Sequence, residues 1–146
     1  VIIKEIDYYS HNNLVDLSIF VHRVLKDSVK TFRYFNSRVL ACIEEHEVTL
    51  LGYGGGLPIA YGHLDLCHIS GKIWLGVAVG SDYCSKGYGR KMVEELLNRR
   101  TTPVHLTVDI DNTLARHLYE KIGFELIDTR TKLGTGDIVE YRIGEP

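Results

Sequence analysis

A chain of 146 residues is one domain by length and can bury a sizeable single core. Its 45% hydrophobic and 25% charged content are ordinary for a folded soluble protein. A formal net charge of -2 supplies no global basic field, which argues against nucleic acid or an anionic membrane as partner. No apolar run reaches bilayer length and the start shows no signal-peptide pattern, so the expected compartment is cytoplasmic. Cys42, Cys67 and Cys84, an odd and unpatterned set, read as free thiols in reducing surroundings. The histidines lack metal-ligand spacing, and Asp109-Ile-Asp111-Asn112 lacks the glycine and terminal glutamate of a calcium loop, so no metal is expected.

Val1 to Ile6 predicts an entry strand. Ser10 or Asn12 is placed to cap a helix running to about Leu25, with Leu14, Leu17, Val21, Val24 and Leu25 facing inward. Helical spacing of Val29, Phe32, Phe35, Val39 and Ile43 predicts a second helical stretch from Asp27 or Ser28 to about Glu47. The period then changes to that of strands. Val48–Tyr53, Leu57–Ile69 and Lys72–Val79 read as three successive antiparallel strands, joined by Gly54-Gly55-Gly56 and by a Ser70-Gly71 turn. A loop and a helix follow, then a strand over Pro103–Ile110, a helix capped by Asp111 or Asn112 and closed at Gly123, and two last strands. Those strands, Phe124–Thr129 and Ile138–Ile143, flank a loop with Gly134 and Gly136. The order predicts an α+β fold, a mixed central sheet with helices on both faces.

The stretch from Trp74 to Arg100 organises this chain. An apolar strand feeds a short loop in which Gly87 and Gly89 flank Tyr88, and an amphipathic helix follows with Met92, Val93, Leu96 and Leu97 on one face. Main-chain N–H groups opening a helix make a phosphate cradle, and glycines let an anion come close. Lys86, Arg90 and Lys91 gather positive charge where the helix dipole disfavours it, as an anion at that end would require. A Rossmann fingerprint fails because Met92 stands where a small residue is needed, and a P-loop fails because Gly-Lys-Ser/Thr is absent.

Two separated segments carry a family resemblance. Val77-Ala78-Val79, then Cys84-Ser85-Lys86-Gly87-Tyr88-Gly89, resembles the coenzyme A pyrophosphate motif of the GNAT acyltransferase superfamily, Gln/Arg-x-x-Gly-x-Gly/Ala. Asn112-x-x-Ala115-x-x-x-Tyr119-Glu120-Lys121-x-Gly123-Phe124 is similar to the family's second motif. The clear resemblance spans roughly Ala60 to Ile127, within a single domain over residues 1–146. Cys84 departs from the usual arginine or glutamine, leaving Lys86 and Arg90 to supply charge.

The resemblance implies a mainly antiparallel sheet splayed between its fourth and fifth strands, with acetyl-coenzyme A as co-substrate. Pantetheine would add along the Val77, Ala78, Val79 edge, where Gly76 is expected to permit a bulge. Pyrophosphate would meet the N–H groups from Ser85 through Lys86, Gly87, Tyr88 and Gly89 to Arg90, with Asn112 and Ala115 on the thioester side. The implied reaction is direct attack of an amine, from a small molecule or a protein, with a main-chain N–H near Val77 or Ala78 on the developing oxyanion. Tyr119 is the expected acid for the departing thiolate. The strand before the loop carries no carboxylate, so His63 and Asp65 are the expected bases, with His105 and Asp109 behind them. The resemblance leaves a homodimer open. A non-catalytic acyl-coenzyme A sensor is the rival reading.

Overall fold

In the computed structural model, which describes residues 1–100, 102–132 and 136–144, seven strands form one sheet in the order β1-β2-β3-β4-β5-β7-β6. The strands are β1 (Ile2–Glu5), β2 (Val48–Gly54), β3 (Leu57–Leu66), β4 (Ile73–Val79), β5 (Val104–Asp109), β6 (Glu125–Lys132) and β7 (Gly136–Ile143). All neighbours run antiparallel except β4 and β5. Gly134, expected in the last loop, lies outside the described residues.

The parallel pair positions the site. β3 stays paired with β4 from Leu66↔Ile73 to Ala60↔Val79, and β5 stays paired with β7 along its whole length. Between β4 and β5 only Ile73↔Val104 and Trp74↔His105 are joined. Past Trp74 the two halves of the sheet part, as expected, and one edge of β4 is left without a strand partner.

Each face carries helices because each strand alternates. On one face α2 (Tyr88–Leu97) and α3 (Thr113–Ile122) cover the sheet, with Met92, Val93 and Leu96 packed on Leu64, Leu75, Leu106 and Tyr141. On the other, α1 (His11–Ile19) and the π turn Phe20–Val24 set Leu17, Phe20 and Val24 against Leu51, Tyr61 and Ala78. Ser10 caps α1 by accepting from the Asn13 N–H at 3.2 Å.

Two expectations are corrected here. The stretch from Asp27 to Glu47 is not one helix but three short 3₁₀ segments, Lys26–Lys30, Tyr34–Asn36 and Leu40–Glu45. Lys26 at φ 47 breaks the helical path, and serine, threonine and asparagine residues favour local turns over continuation. The helical spacing of Phe32 and Phe35 reflects ring packing on Tyr61 instead, at centroid distances of 5.6 and 5.3 Å. Gly76 holds no bulge, since the β3–β4 register is unbroken. A Cβ there would come within 2.5 Å of the His63 ring, so the glycine makes room for an imidazole. Smaller shifts occur at strand ends: β3 stops at Leu66, short of Ile69, and β6 continues to Lys132.

Candidate active site

The loop between β4 and α2 is shaped by its main chain. Ser85 has φ 61, one of two non-glycine residues with positive φ among those described, and Gly87 follows at φ 87. Left-handed residues placed this way turn successive N–H groups toward one concavity, an anion nest. No side chain caps α2, so the N–H groups of its first turn point outward uncommitted. A Cβ on Gly87 would meet nothing within 4 Å, so the glycine answers to conformation and not to crowding. Gly89 lies where α2 passes close to Val79 and Leu118, 3.7 Å from each for an added Cβ. Lys86 and Arg90 are exposed, and Tyr88 is partly so. Beside the loop a cleft of about 690 Å³ runs between the helices, lined by Gly87, Arg90, Leu114, His117, Leu118 and Lys121. The Cys84 thiol is exposed and turns back on the Gly80 carbonyl at 3.5 Å.

Val77, Ala78 and Val79 border the open gap through their main chain. Asn112 caps α3, its Oδ1 accepting from the Ala115 N–H at 3.3 Å, which fixes the helix at the wide end of the gap. Tyr119 is 9% exposed, ringed by Phe124 and Tyr141 at 5.8 and 6.5 Å. Burial alone pushes its hydroxyl up to about 12.

The opposite face of the gap is polar, and side chains build it. His63 is 3% exposed. Its Nδ1 is hydrogen-bonded to the Tyr61 hydroxyl at 2.6 Å, and the His46 and Tyr34 rings each lie 4.4 Å away. Burial, then His46 and Arg38, hold His63 well below the usual histidine range. His46 joins the Tyr34 hydroxyl to Thr49 Oγ1, at 2.6 and 3.0 Å, and burial lowers it to about 4. Asp65, opposite Trp74, is raised by burial against the pull of Arg38. Asp109 takes a bidentate bond from Arg33, at 3.1 and 2.7 Å, joining the helical cover to β5 across the gap.

Sequence reading did not find Glu140. This carboxylate is 1% exposed and receives Lys72 at 3.0 Å, Arg130 at 2.7 Å and His105 Nδ1 at 2.8 Å. Burial alone would raise it, but the bonds from Lys72 and His105 hold it below the usual glutamate value. The only sequence signal was a charge between Val139 and Tyr141. Nothing in that pattern names its partners. Among the described residues no group of three metal-ligating side chains occurs.

Comparison with known proteins agrees with this geometry. No curated protein matches the chain in sequence. An acetyltransferase of the GNAT family from Streptococcus pneumoniae superposes with a TM-score of 0.77 at 18% identity, covering 97% of this chain and 98% of that one. The ribosomal-protein-S18-alanine N-acetyltransferase of Escherichia coli gives 0.69 at 21%, covering 97% and 92%. The phosphinothricin acetyltransferase of Sinorhizobium meliloti, in complex with acetyl-coenzyme A, gives 0.72 at 13%, covering 97% and 86%. At such identities these likenesses show the fold. The family model for the acetyltransferase (GNAT) family matches residues 11–124, and the chain belongs to that family.

Proposed function

We propose that this chain moves an acetyl group from acetyl-coenzyme A to a primary amine, of a small molecule or a protein, by direct attack in a ternary complex. One observation carries the reading: the free edge of β4 from Leu75 to Val79 is followed, after the short turn Ser81–Tyr83, by the loop from Ser85 that opens the uncapped helix α2. Main-chain groups of Val77, Ala78 and Val79 would pair with pantetheine as an added strand does. The N–H groups from Ser85 to Arg90 would hold pyrophosphate, with Lys86 and Arg90 supplying charge and Cys84 contributing main chain only. Asn112 and Ala115, at the wide end of the gap, would flank the arm of the coenzyme. A bound thioester contributes an activated acyl group, and the chain contributes its aim.

Tyr119 is the acid for the leaving sulfur. It lies on α3 with its proton firmly held by burial, so it donates only to a strongly basic partner. Transfer from a hydroxyl near 12 to a thiolate whose acid keeps a value near 8.5 is uphill by roughly 5 kcal/mol. The transfer therefore asks the site to raise the sulfur as well. The proton acceptor for the incoming amine belongs to the polar face, where His63, Asp65, His105 and Asp109 lie. The Escherichia coli and Sinorhizobium meliloti relatives, named for a protein alanine and for a small molecule, support either kind of acceptor.

Calorimetry with coenzyme A, NAD and ATP tests the cradle: coenzyme A should bind at least about tenfold tighter than the others, and a preference for NAD or ATP rejects the reading. Release of free thiol from acetyl-coenzyme A, with and without added amines, tests turnover.

A further inference from the structure

We propose that His105 takes the proton from the acceptor's ammonium group, and that Glu140 is the positioning residue that aims it and stabilises the imidazolium it becomes; this rests on the acetyl-transfer reading above. His105 is the last residue of β5 still paired with β4, so its backbone stands at the vertex where the gap opens, and its ring reaches from there to Glu140 and Trp74. Its neighbours Val104 and Leu106 point into the core under α2 and α3. The alternation of a strand therefore turns His105 to the other face, which also carries His63, Asp65 and Asp109. It is 8% exposed, beside the Trp74 ring at 5.6 Å.

The hydrogen bond from His105 settles its tautomer. Glu140 is clasped by Lys72 and Arg130, so it is an ionised acceptor with no proton to give. The 2.8 Å contact to His105 Nδ1 must then be an Nδ1–H donation, which leaves Nε2 with its lone pair. A carboxylate on the far nitrogen both orients an imidazole and stabilises the imidazolium it becomes. His63 has no such support. A phenol, not a carboxylate, meets its Nδ1, and aromatic rings pack around it. The charged groups facing His105 are Glu140 and Arg142 of β7, Lys72 ahead of β4, Arg130 of β6, and Asp65 of β3 beyond Trp74.

The proton count closes. His105 Nε2 removes one proton from the ammonium and later loses it to water. The freed amine forms a bond to the acyl carbon as the carbon–sulfur bond breaks, and Tyr119 protonates the sulfur. The second amine proton leaves the new amide nitrogen and restores Tyr119 through water.

Two measurements decide it. In the wild-type chain, long-range ¹⁵N–¹H spectra should place the proton of the neutral His105 ring on Nδ1 and leave Nε2 bare. A proton fixed on Nε2 overturns the proposal without any acceptor. With an alanine-initiated peptide and with cadaverine as acceptors, His105→Gln should lower kcat/KM for the amine by about 10²-fold or more. It should also erase the histidine limb of the pH profile while leaving acetyl-coenzyme A affinity in place. Glu140→Gln should move that limb to lower pH, and the conservative Glu140→Asp should restore part of the shift. An unaltered limb in His105→Gln overturns the assignment. Failure of the wild-type chain to bind acetyl-coenzyme A instead sinks the acetyl-transfer reading itself.

Discussion

On the donor side of the gap, the groups that would grip an anion are main-chain N–H groups of one local stretch, from Ser85 through Gly87 into α2. On the acceptor side the groups are side chains, and β2, β3, β5, β6, β7 and two 3₁₀ segments or their flanks each contribute one or more: Thr49, His63, His105, Arg130, Glu140, Tyr34 and His46. A site made of backbone depends on conformation and tolerates many side chains, whereas a network of side chains depends on register. Substitutions on the two sides should therefore fail in different ways.

The largest effect is expected where the two sides meet. Tyr119→Phe removes a hydroxyl with no described partner to disappoint, so folding and coenzyme affinity should hold while kcat falls by roughly 10²- to 10⁴-fold. Steady-state turnover of acetyl-coenzyme A reads it, and unchanged kcat would remove Tyr119 from the acid role. Next comes Gly76→Ala, which attacks the acceptor side through packing. Its Cβ would fall 2.5 Å from the His63 ring, and overpacking of that kind costs about 1–3 kcal/mol. Denaturant unfolding should show the loss, and a variant as stable as the parent would mean that His63 has room to move. Gly87→Ala attacks the donor side through conformation alone. The added methyl meets nothing, yet φ 87 disfavours an L-residue by roughly 1–2 kcal/mol, so coenzyme A should bind about 5- to 30-fold more weakly with little change in kcat. Unchanged affinity by calorimetry would contradict the nest.

The same contrast explains what could be read from residues alone. The strand, loop and helix around Gly87, and the capped helix from Asn112 to Gly123, are local patterns whose physics is complete within a few turns of chain. The splay of β4 from β5 was legible only through family resemblance, because no local pattern says where pairing stops. Glu140 was illegible for a stronger reason. Its partners Lys72, His105 and Arg130 come from three other stretches, and only the sheet order brings them together. Gly76 misled because a glycine in a strand signals either a bulge or a close approach, and only the His63 ring on the neighbouring strand distinguishes them. The segment from Asp27 to Glu47 misled because aromatic spacing suited to packing on Tyr61 imitates helical periodicity.

A last comparison separates two clusters within the acceptor side by pH. His46 sits at about 4 in the folded chain against an ordinary 6.5, because burial disfavours its charged form. Between those values the unfolded chain binds a proton that the folded chain refuses. Stability from this group is thus complete above about pH 6.5 and declines as pH falls toward 4. Glu140 is displaced downward from 4.5, so its contribution holds above that value and is lost only as pH falls below it, through the folded value. Acidification should therefore weaken the fold in two steps, the histidine step first. His46→Gln keeps a polar group for Tyr34 and Thr49 but cannot titrate, so unfolding free energies at pH 7, 5.5 and 4.5 should fall less steeply for that variant than for the parent, the remaining decline belonging to His63. Parallel declines in both would show that the upper step belongs to another group, with the buried His63 next in line because its proton is disfavoured in the same sense.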